Sequence, residues 1–303
     1  MSDIALPELC EWSTTIPEQH SLSIKLGKLA HYGAAADFAV TEQEDVVLRI
    51  PGVAGFHVSA GGDRVTIQAE DIADPLMVRA YLYGSVLAAL CYKRGLLPLH
   101  GASVLLNQSA IILSGSSGVG KSTLATALAR RGHPLLCDDV CAMDMNPCGV
   151  PLLWPAFPRV KLRPDVIASF QLGAAVSYTR AASGTKGHFG MAPIQCTAMV
   201  GRPFPVAAVY ALDPPSGDKV KRTLLSAKDA FIFLDSQAHR GWMGRNLGLH
   251  GQLFRHTAAL AAAVPVYRLQ RPCALERLDE VVELMEAATH NGAAAEAVGV
   301  AIG

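Results

Sequence analysis

Apolar and polar residues alternate with period two along 21–26, 36–41 and 45–50, the pattern of short half-buried strands. The same pattern flanks Ala60-Gly61-Gly62-Asp63, so 55–59 and 64–68 are predicted to form a hairpin around a glycine-containing turn. From 74 the period changes. Leu76, Met77, Ala80, Tyr81, Val86, Leu87, Leu90 and Cys91 leave little polar face, and 74–95 reads as a helix buried on most sides. Such a helix suits a bridge between the β-rich segment and the residues from 96 onward, with Tyr81, Tyr83 and Tyr92 as core or interface residues.

Two apolar runs, 102–106 and 110–113, stand either side of Asn107-Gln108 and predict an antiparallel hairpin, hence a mixed sheet. Helix formers fill 123–131, and Gly132 is a good stop. A further apolar strand is predicted over 133–140, closing on Asp138-Asp139. Arg159, Lys161 and Arg163 alternate with apolar residues, as on a strand with one charged face. That face could meet phosphate or an acidic peptide, or protect an exposed edge. Beyond it come a buried strand at 206–212, a helix opened by Ser226, a helical stretch at 246–263 and a strand at 264–269. A last amphipathic helix covers 274–289, with Leu275, Leu278, Val281, Val282 and Met285 on one face. The Ala/Gly-rich end, 291–303, is expected to be a disordered tail.

Composition narrows the classes. Half of the 303 residues are hydrophobic and 17% are charged, which is ample for a large core. Lys plus Arg equals Asp plus Glu at 26 each, so charge gives no support for a nucleic-acid or membrane-surface partner. The seven cysteines form no C-x-x-C pair and read as buried free thiols of a reducing compartment. His57 reads as a strand residue rather than a ligand. The acidic N-terminus lacks a signal pattern, and a cytoplasmic protein is expected.

Chemistry concentrates at Gly115-Ser116-Ser117-Gly118-Val119-Gly120-Lys121-Ser122, which fits the phosphate-binding pattern G-x-x-x-x-G-K-[ST]. Strand 110–114 precedes it, and a helix beginning with Thr123 comes after it. Backbone N–H groups of such a loop converge on a phosphate chain, aided by the positive end of the helix dipole. Lys121 supplies a cation for the β/γ-phosphates and the Ser122 hydroxyl suits Mg²⁺. Asp138 and Asp139 need a positive partner if buried. Neighbouring strand side chains face opposite ways, so one carboxylate can face metal and phosphates and the other a different group, with His100 a candidate. Ser183-Gly-Thr-Lys186-Gly-His188-Phe-Gly190 is a second glycine-flanked loop that could carry Lys186 to the site.

His100-Gly101, the loop at 115–122 and the run Arg131-Gly-His-Pro-Leu-Leu-Cys-Asp-Asp139 resemble, in order and spacing, the catalytic domain of the HPr kinase/phosphorylase family over 96–145. The resemblance implies an α/β fold: a P-loop domain with a mixed sheet, HPr kinase / PEP carboxykinase-like, over 96–290, preceded by a small β-rich N-terminal domain with its linking helix over 1–95. It implies ATP and Mg²⁺ as cofactors and transfer to an acceptor serine of a protein or peptide. Asp138 is then the general base, assisted by His100 and Lys121, while Ser122 and Asp139 hold the metal, Asp139 alternatively partnering His100. The downstream Glu…Arg-Gly signature of the bifunctional members is missing, for Arg240-Gly241 lacks its surroundings. The chain looks more like the HPr-kinase-related proteins of lasso-peptide-type gene clusters, which modify a precursor peptide. A homo-oligomer stays open.

Other nucleotide classes fit less well. Ser114 to Thr123 also resembles the guanylate kinase loop, so a small-molecule kinase is one alternative, and a bifunctional HPr-type kinase/phosphorylase is the other. An ABC-type ATPase would need L-S-G-G-Q and a GTPase N-K-x-D, and neither occurs. A non-catalytic nucleotide sensor would have no use for an intact Lys121, Ser122 and aspartate pair.

Overall fold

A computed structural model describes residues 22–29, 37–156, 159–172, 177–179, 189–193 and 202–296. Five short strands come first: β1 (Ser23–Leu26), β2 (Phe38–Val40), β3 (Val46–Ile50), β4 (Ala54–Val58) and β5 (Arg64–Ala69). They form one sheet in the order β1-β5-β4-β3-β2. The expected hairpin is β4–β5, antiparallel from Ala54↔Ala69 to Val58↔Val65, while β1 lies parallel to β5. His57 is a strand residue, and its Nε2 lies 2.9 Å from Asp45 Oδ2.

The bridging helix has three parts: α1 (Pro75–Tyr81), a π-helical turn (Leu82–Val86) and α2 (Leu87–Lys93). Asp74 caps its start by accepting from the Leu76 N–H, and Pro75 sits where a helix needs no N–H. By length and composition Pro75–Lys93 could cross a membrane, yet two thirds of it is buried inside the protein. Its apolar faces are spent on the core. One hydrophobic cluster runs from Val46 and Phe56 in the first sheet, through Val78, Val86 and Leu90 of the helix, to Leu97, Cys141 and Val209 beyond it. The β-rich segment is thus packed on the rest through a shared core.

The second sheet has seven strands. They are β6 (Leu97–Leu106), β7 (Ser109–Ser114), β8 (Leu135–Met145), β9 (Pro151–Trp154), β13 (Phe204–Leu212), β14 (Lys221–Leu224) and β15 (Val266–Gln270), in the order β14-β15-β13-β7-β6-β8-β9. β13 runs parallel to β7 and β15, and the other neighbours are antiparallel, which makes the sheet mixed. β9 also pairs with β13 at Leu153↔Phe204, so the sheet curls back on itself. Leu97, Leu99, Leu106, Ile111, Ile112 and Leu113 are fully buried in its centre. Each such side chain contributes roughly 1.5–3 kcal/mol. Helix α3 (Lys121–Arg130) packs with α8 (Leu278–Glu296) over one face. A three-stranded sheet, β10 (Arg159–Leu162), β12 (Phe189–Pro193) and β11 (Ser177–Thr179), stands beside the site, next to α4 (Pro164–Ser169). Helices α5 (Ala227–Ser236), α6 (Gly241–Asn246) and α7 (His250–Ala263) complete the fold.

Three expectations need correction. β8 does not end at the aspartates but continues to Met145, because β9 and β6 pair with its second half. α8 runs to Glu296, past the start of the expected tail at 291, as its alanines favour helix. Buried thiols describe Cys91, Cys137 and Cys141, whereas Cys148 and Cys273 are exposed. The loop at 183–188, with Lys186, lies outside the described residues.

Candidate phosphate and carboxylate site

The glycine loop leaves β7 and enters α3 as its sequence requires. Gly120 is left-handed at φ 93°, and a Cβ there would stand 2.6 Å from Arg271 Nη2. Arg271 is 4% exposed. It donates to the Val119 carbonyl from Nη2 and to the Asp213 carbonyl from Nη1, bracing the loop from outside. Burial pushes its pKa down. Lys121, also buried, donates to the carbonyls of Gly115 at 2.9 Å and Ser116 at 3.0 Å. Gly115, Ser116, Ser117, Gly118, Val119, Gly120, Lys121, Ser122 and Thr123 therefore form one strand-loop-helix cradle.

Strand β6 sets the other wall. Its Gly101 faces Ser114, and a Cβ on Gly101 would lie 2.8 Å from the Leu113 carbonyl. Glycine thus lets β6 approach β7 just before the loop. Ser114 Oγ donates to the His100 carbonyl at 2.7 Å, fixing His100 beside the loop. Where β7 turns away, residues 237–239 take over the free edge of β6. His100 N–H donates to the Gln237 carbonyl and His239 N–H to the Pro98 carbonyl, both at 2.8 Å.

Asp138 and Asp139 go to different partners. The Ser122 hydroxyl donates to Asp138 Oδ1 at 2.7 Å, and the Lys161 backbone N–H donates to Oδ2 at 2.9 Å. Asp139 is left-handed at φ 79°, unusual for a non-glycine residue and a mark of local constraint. His100 Nδ1 lies 3.4 Å from Asp139 Oδ1 and 3.2 Å from its carbonyl oxygen. Both are acceptors, so Nδ1 is the donor. The resemblance gave Asp138 the base role and Asp139 either the metal or the partnership with His100. The geometry puts Asp138 on the serine of the loop and Asp139 on the histidine.

Electrostatics separate the pair further. Burial, followed by the charge of Asp139, raises the Asp138 carboxyl, against the hydrogen bonds from Lys161 and Ser122 and the charge of Arg159. Burial would raise Asp139 too. The hydrogen bond from His100, with the charges of Lys161 and His239, outweighs it and holds Asp139 well below the usual carboxylate range. His239 stacks on His100 with ring centroids 5.2 Å apart, and burial pushes it down to about 4.

Several of these neighbours were not foreseen. Tyr83 and Gly84 come from the π-helical turn, a feature frequent at functional sites. The Arg159 guanidinium lies 4.2 Å from the centroid of the Tyr83 ring. A Cβ on Gly84 would stand 3.4 Å from Asp139 Oδ2. Of the basic strand residues, Arg159 is buried and Lys161 half-buried beside the carboxylates, while Arg163 is exposed and paired with Asp165 at 2.9 Å. Nothing in the sequence around His239, Arg271 or Tyr83 marks them, because their approach depends on tertiary packing.

No family model matches the chain. Two HPr kinase/phosphorylases of Limosilactobacillus reuteri, from strain DSM 20016 and from subsp. reuteri strain JCM 1112, are each 49% identical to it over 41 residues. That stretch is 14% of this chain and 13% of each relative, so the similarity is local. The Hpr(Ser) kinase/phosphatase structure from Coxiella burnetii aligns with 66% of this chain and 97% of its own, at 14% identity and a TM-score of 0.30.

Proposed function

We propose that the chain is an ATP- and Mg²⁺-dependent serine kinase acting on a protein or peptide. The observation that carries this reading is the separate partnering of two adjacent carboxylates, one on the loop serine and one on a histidine. Ser122 and Asp138 offer hard oxygen donors at the helix N-terminus, a set that fits Mg²⁺. When bound, the ion would offset the charge of the β/γ-phosphates. The loop amides and Lys121 hold the triphosphate. Asp139 accepts the hydrogen bond of the acceptor hydroxyl and aims it at the phosphorus, with His100 orienting its carboxylate; held well below the usual carboxylate range, it orients the hydroxyl more than it abstracts its proton. Arg159 and Lys161 stabilise charge on the phosphoryl group in transit.

This exchanges the roles that the resemblance gave to the two aspartates, and it is based on the hydrogen bonds. The acceptor class, a serine of a precursor peptide such as a lasso-type precursor, rests on the resemblance of motif order. Incubation with Mg²⁺-ATP and a panel of serine-containing precursor peptides tests it by mass spectrometry. The expected result is a single phosphate increment that disappears when the acceptor serine is changed to alanine. Transfer to nucleotides or sugars with none to peptides would replace this reading with that of a small-molecule kinase.

A further inference from the structure

His100, Asp139 and His239 each offer one donor atom, and the three atoms lie within 4.8 Å of one another. They arrive from separate segments: strand β6, strand β8 and the turn after α5. The turn is held firmly, since the Tyr92 hydroxyl donates to the His239 carbonyl at 2.9 Å and the His239 N–H donates to Pro98. Asp139 reaches the group through a left-handed backbone in mid-strand, a conformation that survives only where its surroundings impose it. His239 Nε2 is buried and has no hydrogen-bond partner among the described residues. A buried polar atom without a partner calls for one.

We propose that these three side chains form a binding site for a divalent transition cation of the zinc type, distinct from the oxygen pair of Ser122 and Asp138. Two imidazoles and a carboxylate are the donors that zinc-like ions select, whereas Mg²⁺ prefers oxygen. In a tetrahedral zinc site donor atoms stand about 3.4 Å apart. From the 4.8 Å limit seen here, the widest gap closes by roughly 1.5 Å, within reach of imidazole rotation. Three protein ligands leave a fourth position open for water or substrate. On the kinase reading above, an ion here withholds Asp139 from the acceptor hydroxyl and silences transfer.

The test needs neither nucleotide nor acceptor, so failure of the kinase reading would leave it intact. Tag-free, metal-stripped full-length protein is titrated with Co²⁺, a spectroscopic substitute for Zn²⁺, and followed by visible absorption. One equivalent per chain with a four-coordinate spectrum is expected, displaced by Zn²⁺ and indifferent to excess Mg²⁺. His239→Ala and His100→Ala should each weaken binding by more than about 100-fold, beyond the loss typical of an outer-shell partner. Ser122→Ala should bind as the parent does. His239→Gln, judged by circular dichroism and the same titration, substitutes if His239→Ala fails to fold. Absence of the spectrum in the parent, its persistence in the folded His239 variant, or its loss in Ser122→Ala would overturn the proposal.

Discussion

Replacing one aspartate at a time should split binding from chemistry. Asp139→Asn keeps the shape of the side chain and removes the charge that His100 faces at 3.4 Å. A positioned general base contributes about 10²–10⁴-fold, and the low pKa of Asp139 puts it at the lower end, about 10²-fold or about 3 kcal/mol of barrier. The rate of transfer should fall by that factor. Nucleotide affinity should change little, because Ser122 is held by Asp138 and not by Asp139. Asp138→Asn should do the reverse. Its carboxylate accepts two hydrogen bonds, at 2.7 and 2.9 Å, one of them from the loop serine itself. Charge-assisted contacts of that kind are worth about 1.5–3 kcal/mol, or about 10–100-fold in affinity for Mg²⁺-ATP. Calorimetric titration with Mg²⁺-ATP and single-turnover transfer to the peptide found in the acceptor screen measure the two quantities separately. If Asp139→Asn loses nucleotide binding while Asp138→Asn keeps it, the assignment is reversed. If Asp139→Asn transfers within about threefold of the parent, it is not the base.

Gly101→Ala forces a Cβ to within 2.8 Å of the Leu113 carbonyl, and overpacking of this sort costs about 1–3 kcal/mol. Tm by calorimetry should drop by about 1.5–5 °C, and an unchanged Tm would show that β6 can move away freely. His239 is pushed down to about 4 in the fold against about 6.5 in an unfolded chain, so the unfolded state binds the extra proton between those values. Stability from this group is therefore full above pH 6.5 and falls as pH drops towards 4, by up to about 3 kcal/mol. Urea unfolding in a chelator at pH 7 and pH 5 should show that slope reduced in His239→Gln. Thiol reagents should label Cys148 and Cys273 in the native state and reach the buried Cys91, Cys137 and Cys141 only on unfolding; burial raises the Cys91 thiol, and the hydrogen bond with Cys141, then burial, raises that of Cys137. Peptide mapping by mass spectrometry reads this directly.

The elements that sequence made legible are those defined by local rules. The loop 115–122 carries its own spacing, and Asn107-Gln108 marks the β6–β7 turn, where both residues adopt positive φ. Helix α5 begins with Ser226 accepting from the Asp229 N–H, as its capping residue predicts. Separate partners for Asp138 and Asp139 were expected from the sequence, but which of them meets the serine was not, since that depends on which side of β8 receives α3. The true length of β8 was hidden because carboxylates look like a strand end until the second half is seen to pair with β9. β9 and β14 were missed, being only four residues each.

Two adjacent carboxylates can share a largely buried strand only if the surrounding charge is divided between them. Here the division comes from three sources that sequence distance keeps apart. The loop serine and the Lys161 amide serve Asp138. The histidine of β6 serves Asp139. The π-helical turn of the bridging helix places Tyr83 against Arg159, whose buried guanidinium acts on Asp138. The N-terminal segment is thus a wall of the site. Loosening it, by straightening the helix at Gly84 for example, would shift Arg159 and raise Asp138 further before it touched the phosphate loop.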